Sequence, residues 1–216
     1  MSARDDILKA VRSGLGRSGA VDTDSVRREA AALLDGLPAT RPVLASADLP
    51  AVFAARAMTP KVAATVAHIA HASELPGAVK AYLSTRRLEP VVALQPAQDL
   101  LALDWRGFTL RSSVASDEAV VVGSARWGIA ETGSLVFHSD AQTPILSNFL
   151  PLHHVVMLRA ATILAYLEDY AAIASREKAP RNVNIITGAS GTTDIEGSLV
   201  LGAHGPKFLH IVIADR

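Results

Sequence analysis

The chain has no cysteine among its 216 residues. Without a thiol it can hold neither an iron–sulfur cluster nor a thiolate zinc site, and it has no cysteine nucleophile and no disulfide framework. The lack of cysteine fits a cytoplasmic protein. A chain of this length buries roughly 70% of its unfolded surface, so its core needs no disulfide or metal.

Aromatic residues and excess charge of either sign are also scarce. Lysine plus arginine total 21, aspartate plus glutamate total 21, the formal net charge is zero, and aromatic residues make up 5% of the chain. A nucleic-acid-binding protein usually has a basic excess or stripe, and a single-strand binder needs aromatic stacking platforms. We therefore expect no nucleic acid among the partners.

The sequence also lacks a convincing membrane segment. The longest uncharged run, residues 141–158, reaches spanning length, but it contains Gln142, Pro144, Asn148 and Pro151. These residues make a poor membrane helix. No basic-then-apolar signal peptide follows the first residues. We expect a protein without a membrane span that is located in the cytoplasm.

Half of the residues are hydrophobic, and their spacing divides the chain at residue 58. Residues 1–58 predict three helices, which begin after Ser2, after Asp22 or Thr23, and at Leu49; the second should end at Gly36 and Pro38. We predict that 1–58 is a helical arm packed on the core. An oligomer or partner surface is the alternative interpretation.

Residues 59–216 alternate short apolar runs with helical stretches. This alternation predicts a mostly parallel α/β sheet, because continuous apolar strands are buried on both faces. No helix fits between the apolar runs within 119–137, so we expect at least one antiparallel or irregular strand pair there. The predicted strands are 62–69, 91–94, 108–110, 119–122, 135–137, 155–158, 183–187 and 208–214, and the predicted helices are 75–83 and 162–173.

Three segments carry glycine and polar residues where an α/β sheet places ligands, beyond the carboxyl ends of its strands. The first is 128–134, Gly-Ile-Ala-Glu-Thr-Gly-Ser. Glu131 is the candidate catalytic base or nucleophile, and Thr132, Gly133 and Ser134 are candidate substrate-binding residues. A plain β-turn with Glu131 facing water is the alternative.

The second segment is 187–194, Thr-Gly-Ala-Ser-Gly-Thr-Thr-Asp. Gly188, Ser190, Thr192 and Asp194 are candidate binding residues, because small residues expose backbone N–H groups that suit a carboxylate or phosphate. A Ser/Thr turn capped by Asp194 is the alternative. Too little chain follows for a dinucleotide-binding unit, and no Gly-Lys-Ser/Thr completes a phosphate-binding loop.

The third segment is 201–206, Leu-Gly-Ala-His-Gly-Pro. His204 can donate to a substrate oxygen or transfer a proton, with Gly205 beside it, or it can be a structural histidine. The adjacent His153 and His154 should point to opposite faces of a strand and cannot share a metal. His138 and His210 stand alone in the sequence, and we predict no metal site.

Taken in order, these segments resemble the LUD-domain family. The resemblance rests on 128–134, on Leu-Pro-x-His at 150–153, on Thr-Gly-x-Ser-x-Thr-x-Asp-Ile-Glu at 187–196, and on Gly-x-His-Gly-Pro at 202–206. It covers most of the chain, including the N-terminal helices. The chain departs from the family's usual Gly-Pro-Ser-Arg at Ala189 and Gly191, so the loop has no arginine for a bidentate contact with an anion.

The resemblance implies a Rossmann-like layered sheet of the NagB/RpiA/CoA-transferase type. It also implies membership of a three-protein system that oxidises L-lactate to pyruvate, in which iron–sulfur clusters belong to the partner proteins. The family's motif positions fall on Glu131, Thr132 and Gly133, on Ser190, Thr192 and Asp194, and on His204 and Gly205. No cofactor is expected on this chain.

Three functional hypotheses follow. The first is a non-redox subunit that binds a small organic acid or organises its iron–sulfur partners, since no side chain here can accept the two electrons of lactate oxidation. The second is a stand-alone enzyme of the CoA-transferase or sugar-phosphate-isomerase type that uses Glu131; it requires Glu131 near Ser190, Thr192 or His204. The third is an interaction module that uses the N-terminal helices. We favour the first.

Overall fold

The computed structural model describes residues 2–16, 22–193 and 199–216. Contacts between residues divide the chain into two compact units, Met1–Pro42 and Val43–Arg216. The predicted arm, 1–58, stays a prediction, although its third helix lies in the second unit. No helix in the described ranges has both the length and the hydropathy that crossing a bilayer requires.

The first unit contains two helices, α1 (Ala3–Gly14) and α2 (Thr23–Thr40). Ser2 caps α1 as predicted, in a reciprocal arrangement with Asp5 that satisfies two free N–H groups of the first turn. The end predicted for α2 at Gly36 and Pro38 is wrong, because the helix continues to Thr40. One glycine and one proline near a helix end weaken the last turns without stopping them.

The second unit alternates strands and helices, as its hydrophobic pattern predicts. Short 3-10 helices lie at Ala72–Glu74, Ile145–Asn148 and Ala160–Thr162. The other elements are α3 (Leu49–Ala57), β1 (Thr65–Ile69), α4 (Leu75–Arg86), β2 (Val91–Leu94), α5 (Gln98–Leu101), β3 (Thr109–Arg111), β4 (Val120–Ser124), β5 (Trp127–Ile129), β6 (Ser134–His138), β7 (His153–Arg159), β8 (Ile163–Leu164), α6 (Leu167–Ala174), β9 (Val183–Ile186), β10 (Gly191–Thr193), β11 (Leu199–Leu201) and β12 (Phe208–Ala214).

The main sheet has six strands in the order β1-β12-β7-β4-β2-β3, and all its neighbours are parallel. This arrangement confirms the predicted α/β class with a parallel sheet. The chain passes from β2 to β3 on one side and then returns to β4 on the other side of β2. The strand order therefore reverses between β2 and β4, which leaves a crevice at the carboxyl ends of these two strands.

A second sheet has four strands in the order β8-β5-β6-β9. β6 is antiparallel to both β5 and β9, which confirms the antiparallel pair expected within 119–137. The helix predicted over 162–173 is wrong in its first half, since Ile163 and Leu164 pair with β5 instead. Hydrogen bonding along β5 outweighs the helical spacing of these apolar residues, and α6 begins only at Leu167.

The central strands of the main sheet are buried on both faces, whereas the edge strand β3 is exposed. Alternating residues of β7 show this: Val156 and Leu158 pack in a cluster with Phe53 of α3 and the second sheet, whereas Val155 and Met157 pack with residues of α4 and α5. The sheet thus separates two apolar layers. The more specific NagB/RpiA/CoA-transferase type stays a prediction.

Candidate functional site

The first predicted segment forms the tight turn between β5 and β6. Gly133 has a φ of 72°, and a side chain there would lie 2.9 Å from the backbone nitrogen of Ala57. Glycine is therefore required by the turn and by α3 behind it. The Thr132 Oγ1 and Ser134 Oγ atoms lie 2.7 Å apart, and Ser134 is almost fully buried. The turn thus presents paired hydroxyl groups.

Glu131 points away from those hydroxyl groups. Its Oε1 accepts a 2.7 Å hydrogen bond from the backbone N–H of Leu167, the first residue of α6. A carboxylate at this position satisfies a free N–H and complements the positive end of the helix. Within the described parts of the chain, no hydrogen bond joins Glu131 to Ser190, Thr192 or His204. Its predicted catalytic role stays a prediction.

The second segment joins the first through a hydroxyl contact. The Ser134 Oγ and Thr187 Oγ1 atoms lie 2.6 Å apart, where β6 and β9 pair. The next residue, Gly188, has a φ of 91°, and a Cβ there would overlap the carbonyl oxygen of Val62. The loop is thereby fixed against the chain that leads into β1, and only glycine fits.

The third segment joins the second through the backbone. The N–H of Ser190 donates to the carbonyl of Pro206 at 2.8 Å, and the N–H of Gly202 donates to the carbonyl of Ser190 at 2.9 Å. A Cβ on Gly205 would lie 3.2 Å from that of Ser190. Ser190 and Gly205 are thus brought together.

The remaining predicted residues take separate positions. Thr192 is exposed in the β10–β11 hairpin opposite Val200, and His204 is exposed on its loop. Asp194 lies outside the described residues. We call the connected set Thr132, Ser134, Thr187, Ser190 and Gly205 the loop cluster.

The loop cluster lies at the amino ends of β1 and β12 of the main sheet. Gly188 packs on Val62, just before β1, and Pro206 lies just before β12. Segment 187–194 follows the carboxyl end of β9, as the sequence indicates, but β9 pairs with β6 in the second sheet and does not enter the parallel one. The segments therefore do not meet beyond the carboxyl ends of the parallel strands.

The structure also shows a polar group at the opposite end that the sequence analysis missed. Arg126 Nη1 lies 3.2 Å from His138 Nδ1, and His138 Nε2 lies 2.8 Å from the Tyr170 hydroxyl. Because arginine only donates, Nδ1 must accept and Nε2 carries the proton. Burial, with a smaller effect of Arg126, lowers the pKa of His138. His138 is therefore not the isolated histidine it resembles in the sequence.

His153 and His154 point to opposite faces of the main sheet, as predicted. His153 Nδ1 lies 2.8 Å from the Tyr82 hydroxyl, whereas His154 stacks on Phe137 with ring centroids 5.8 Å apart. His210 is not isolated either, because its ring stacks on Tyr82 at 4.3 Å. Burial, aided by the charge of Arg86, lowers the pKa of His210 to about 4. Burial also lowers the pKa of His153 and of His154, so it favours the neutral imidazole at all three positions.

Comparison with known proteins identifies the relatives of this chain. Residues 109–214 match the LUD domain. The lactate utilization protein C of Anoxybacillus flavithermus is 33% identical over 116 residues, which make up 52% of each chain. That of Geobacillus kaustophilus is 31% identical over 129 residues, 56% of this chain and 54% of the relative. The chain spans about half the length of these curated relatives.

Two further comparisons extend this result. An uncharacterized Escherichia coli protein, YkgG, is 31% identical over 139 residues, which cover 61% of this chain and 60% of that protein. The crystal structure of a duf162 family protein from Deinococcus radiodurans has a TM-score of 0.53 and 21% identity, and the match covers 78% of this chain and 97% of that one. At this identity the structural similarity supports the shared α/β fold alone.

Proposed function

Because this chain belongs to the LUD-domain family, we propose that it is a non-redox component of a lactate-utilisation system. Oxidation of lactate to pyruvate releases two electrons and two protons, and no amino-acid side chain of this chain can accept the electron pair. The chain also has no thiolate to hold an iron–sulfur cluster. The electron acceptors are then iron–sulfur partner proteins, with which this chain works in the cytoplasm.

The observation that carries the proposal is the convergence of the loop cluster. Segment 128–134 meets segment 187–194 through the Ser134–Thr187 hydroxyl contact, across a separation of 53 residues. Segment 187–194 meets segment 201–206 through the Ser190–Pro206 backbone hydrogen bond.

The N–H groups of Ala189, Ser190 and Gly202 are used within the protein, so the hydroxyl groups of Thr132, Ser134 and Thr187 are what the cluster offers to the oxygen atoms of a small organic acid. Exposed Thr192, on the β10–β11 hairpin, and exposed His204, on the loop after it, offer further surface for the docking of partner proteins.

Glu131 supports this role as a positioning residue. Its hydrogen bond to Leu167 ties the turn that carries Thr132 and Ser134 to the start of α6. Although Oε2 is left free by this contact, no hydrogen bond of the described residues joins Glu131 to Ser190, Thr192 or His204, as a CoA-transferase or isomerase reaction on Glu131 would require. The geometry therefore favours a binding component over a stand-alone enzyme.

The test is affinity capture of the full chain from lactate-grown cells, combined with growth on L-lactate. Wild-type protein should co-purify iron–sulfur proteins and restore growth to a strain that lacks the gene. His204→Ala and Glu131→Ala, which removes the acceptor of the Leu167 N–H, should impair growth on lactate and leave growth on glucose unchanged. Oxidation of lactate by the isolated chain with a dye acceptor, or capture of the chain alone together with normal growth of both variants, would contradict the proposal.

A further inference from the structure

A cavity occupies the crevice where the order of the main sheet reverses. It has a volume of about 170 Å³ and is lined by Gln95, which directly follows β2, and by Ser124, the last residue of β4. Ligands of open α/β sheets bind outside the carboxyl ends of the two strands at such a reversal. The topology and the cavity thus indicate the same place, at the end of the sheet opposite the loop cluster. We call it the switch-point pocket.

A fixed guanidinium group forms one wall of this pocket. Arg126 Nη1 donates to His138 Nδ1 at 3.2 Å, Nη2 donates to Glu177 Oε1 at 2.9 Å, and the group lies 4.3 Å from the centre of the Trp127 ring. Guanidinium has five N–H donors in a planar fork. Since these two contacts leave others unused, Arg126 is oriented in advance to bind a pair of anionic oxygens.

Neutral donors lie on the adjacent wall. Gln95 is almost fully buried; its Oε1 accepts from the backbone N–H of Ser124 at 3.0 Å, and its Nε2 donates to Thr143 Oγ1 at 3.0 Å. These contacts fix the orientation of the amide. The Thr143 hydroxyl accepts from Gln95, so its own proton is free to be donated. A second oxygen on a bound molecule could accept from Thr143 or Gln95.

A buried imidazole lies behind the pocket. His154 is 1% exposed, and neither of its ring nitrogens has a hydrogen-bond partner among the residues that the structure describes. It stacks on Phe137, which lines the pocket. A Cβ on Gly123 would lie 3.3 Å from His154 Nε2 and 2.6 Å from Gln95 Oε1. Such unpaired buried polar groups are rare and are typical of functional sites.

The charges around the pocket limit what it can take. Asp99 and Asp140 also line it. Asp99 is paired with Arg159 at 3.6 Å, and Asp140 accepts from the backbone N–H groups of Gln142 and Thr143. Glu177 already offsets part of the Arg126 charge. The pairs Arg126–Glu177 and Arg159–Asp99 leave Asp140 without a cation in any ion pair of the described residues. A dianion such as a phosphate ester is therefore strongly disfavoured, and a monocarboxylate depends on the directed N–H groups of Arg126.

We propose that the switch-point pocket binds a small monocarboxylate that carries a 2-hydroxy or 2-oxo group. Arg126 binds the carboxylate, and the Gln95–Thr143 pair binds the neighbouring oxygen. The cavity has the volume of about six water molecules, which suits an acid of about three carbons. The choice of lactate and pyruvate as probes rests on the proposed function. If the acid binds in the switch-point pocket, the loop cluster is the surface to which the partner proteins dock.

The test is titration of the full chain with L-lactate, pyruvate and propionate, by calorimetry or ligand-observed NMR. We expect roughly millimolar affinity for the first two acids, because a ligand of about six non-hydrogen atoms makes few contacts. Arg126→Gln should weaken binding at least about tenfold. Thr143→Val should remove the preference for lactate over propionate, which lacks the second oxygen, and leave propionate binding unchanged.

Arg106→Gln is the matched control, because Arg106 pairs with Asp104 on the surface outside the pocket. It should bind lactate as the wild type does. Equal binding by wild type and Arg126→Gln, no binding by wild type, or equally tight binding of inorganic phosphate would overturn the inference. If Arg126→Gln lowers the melting temperature, its weaker binding is not informative, and the Thr143→Val variant tests the inference instead. An unchanged preference of Thr143→Val for lactate over propionate would then overturn it. Absence of binding with intact partner capture would remove this inference and leave the proposed function standing.

Discussion

The loop cluster and the switch-point pocket lie at opposite ends of one strand. Ser134, the first residue of β6, belongs to the cluster, and His138, the last, lies in the wall of the pocket. Ser134 and His138 are four positions apart in an extended strand, which corresponds to a distance of about 13 Å. The cluster is built from backbone amides, glycines and short hydroxyl side chains, whereas the pocket is built from long side chains. Their responses to mutation should differ accordingly.

The loop cluster should break at its glycines. Gly188→Ala combines a left-handed φ with overlap of the Val62 carbonyl, so we expect a loss of about 4 kcal/mol in unfolding free energy. Gly107→Ala is the matched control, because Gly107 has a φ of 85° but no atom within 4 Å of an added Cβ. It should cost only about 1 kcal/mol. Urea denaturation measures both, and equal losses would mean that the Val62 contact contributes nothing.

The pocket should respond to acid through its buried histidine. Burial lowers the pKa of His154 to about 4, against 6.5 for an ordinary histidine. In this pH interval the unfolded chain binds the proton and the folded chain does not, so stability falls as the pH drops from about 6.5 to about 4. At pH about 5 this one residue should cost about 2 kcal/mol relative to pH 7.

His154→Leu should remove that part of the pH dependence, as measured by urea denaturation at both pH values. His210 still titrates, so the slope becomes smaller and does not vanish. An unchanged slope in His154→Leu would mean that His154 is protonated in the folded protein.

The two regions differ in how far the sequence predicts them. Apolar runs located β2 and β12 at their observed bounds, and the glycine-rich segments of the loop cluster were recognisable because backbone turns need particular residues at consecutive positions. The contact of Ser134 with Thr187 followed from no local pattern. It depends on the pairing of β6 with β9, and the strand β9 was expected to join the parallel sheet.

The switch-point pocket had no such local signature. Its contacts join Arg126 to His138 and Glu177, and Gln95 to Thr143, across separations of up to 51 residues. Single polar residues at strand ends are common, and only the strand order tells which ends are neighbours. One signal was present, since Gln95 directly follows an apolar strand, but its importance depends on the reversal between β2 and β4.

Gln95 tests whether side chains define the pocket. Gln95→Leu removes the acceptor of the Ser124 N–H and the donor to Thr143, and it leaves buried groups unpaired at a cost of about 1.5 kcal/mol. Gln142→Leu, an exposed change in the same loop as Thr143, should cost close to nothing. Thermal unfolding distinguishes them. A Gln95→Leu variant as stable as wild type would show that the amide is replaceable, and that the pocket is held by its backbone as the cluster is.

The smallest expected effect concerns the Ser134–Thr187 contact, and it decides whether the loop cluster is one unit. Ser134→Ala, Thr187→Val and the double variant form a cycle that isolates the coupling of the two hydroxyl groups, which lie 2.6 Å apart. We expect a coupling of about 1 kcal/mol in unfolding free energy, the net value of one hydrogen bond between partly buried neutral groups.

Thr132→Val with Thr187→Val is the control cycle, because Thr132 contacts Ser134 and has no direct contact with Thr187 among the hydrogen bonds of the described residues. A coupling near zero in the first cycle, or equal couplings in both, would mean that β6–β9 pairing alone holds the segments together and that the hydroxyl groups remain free for a ligand.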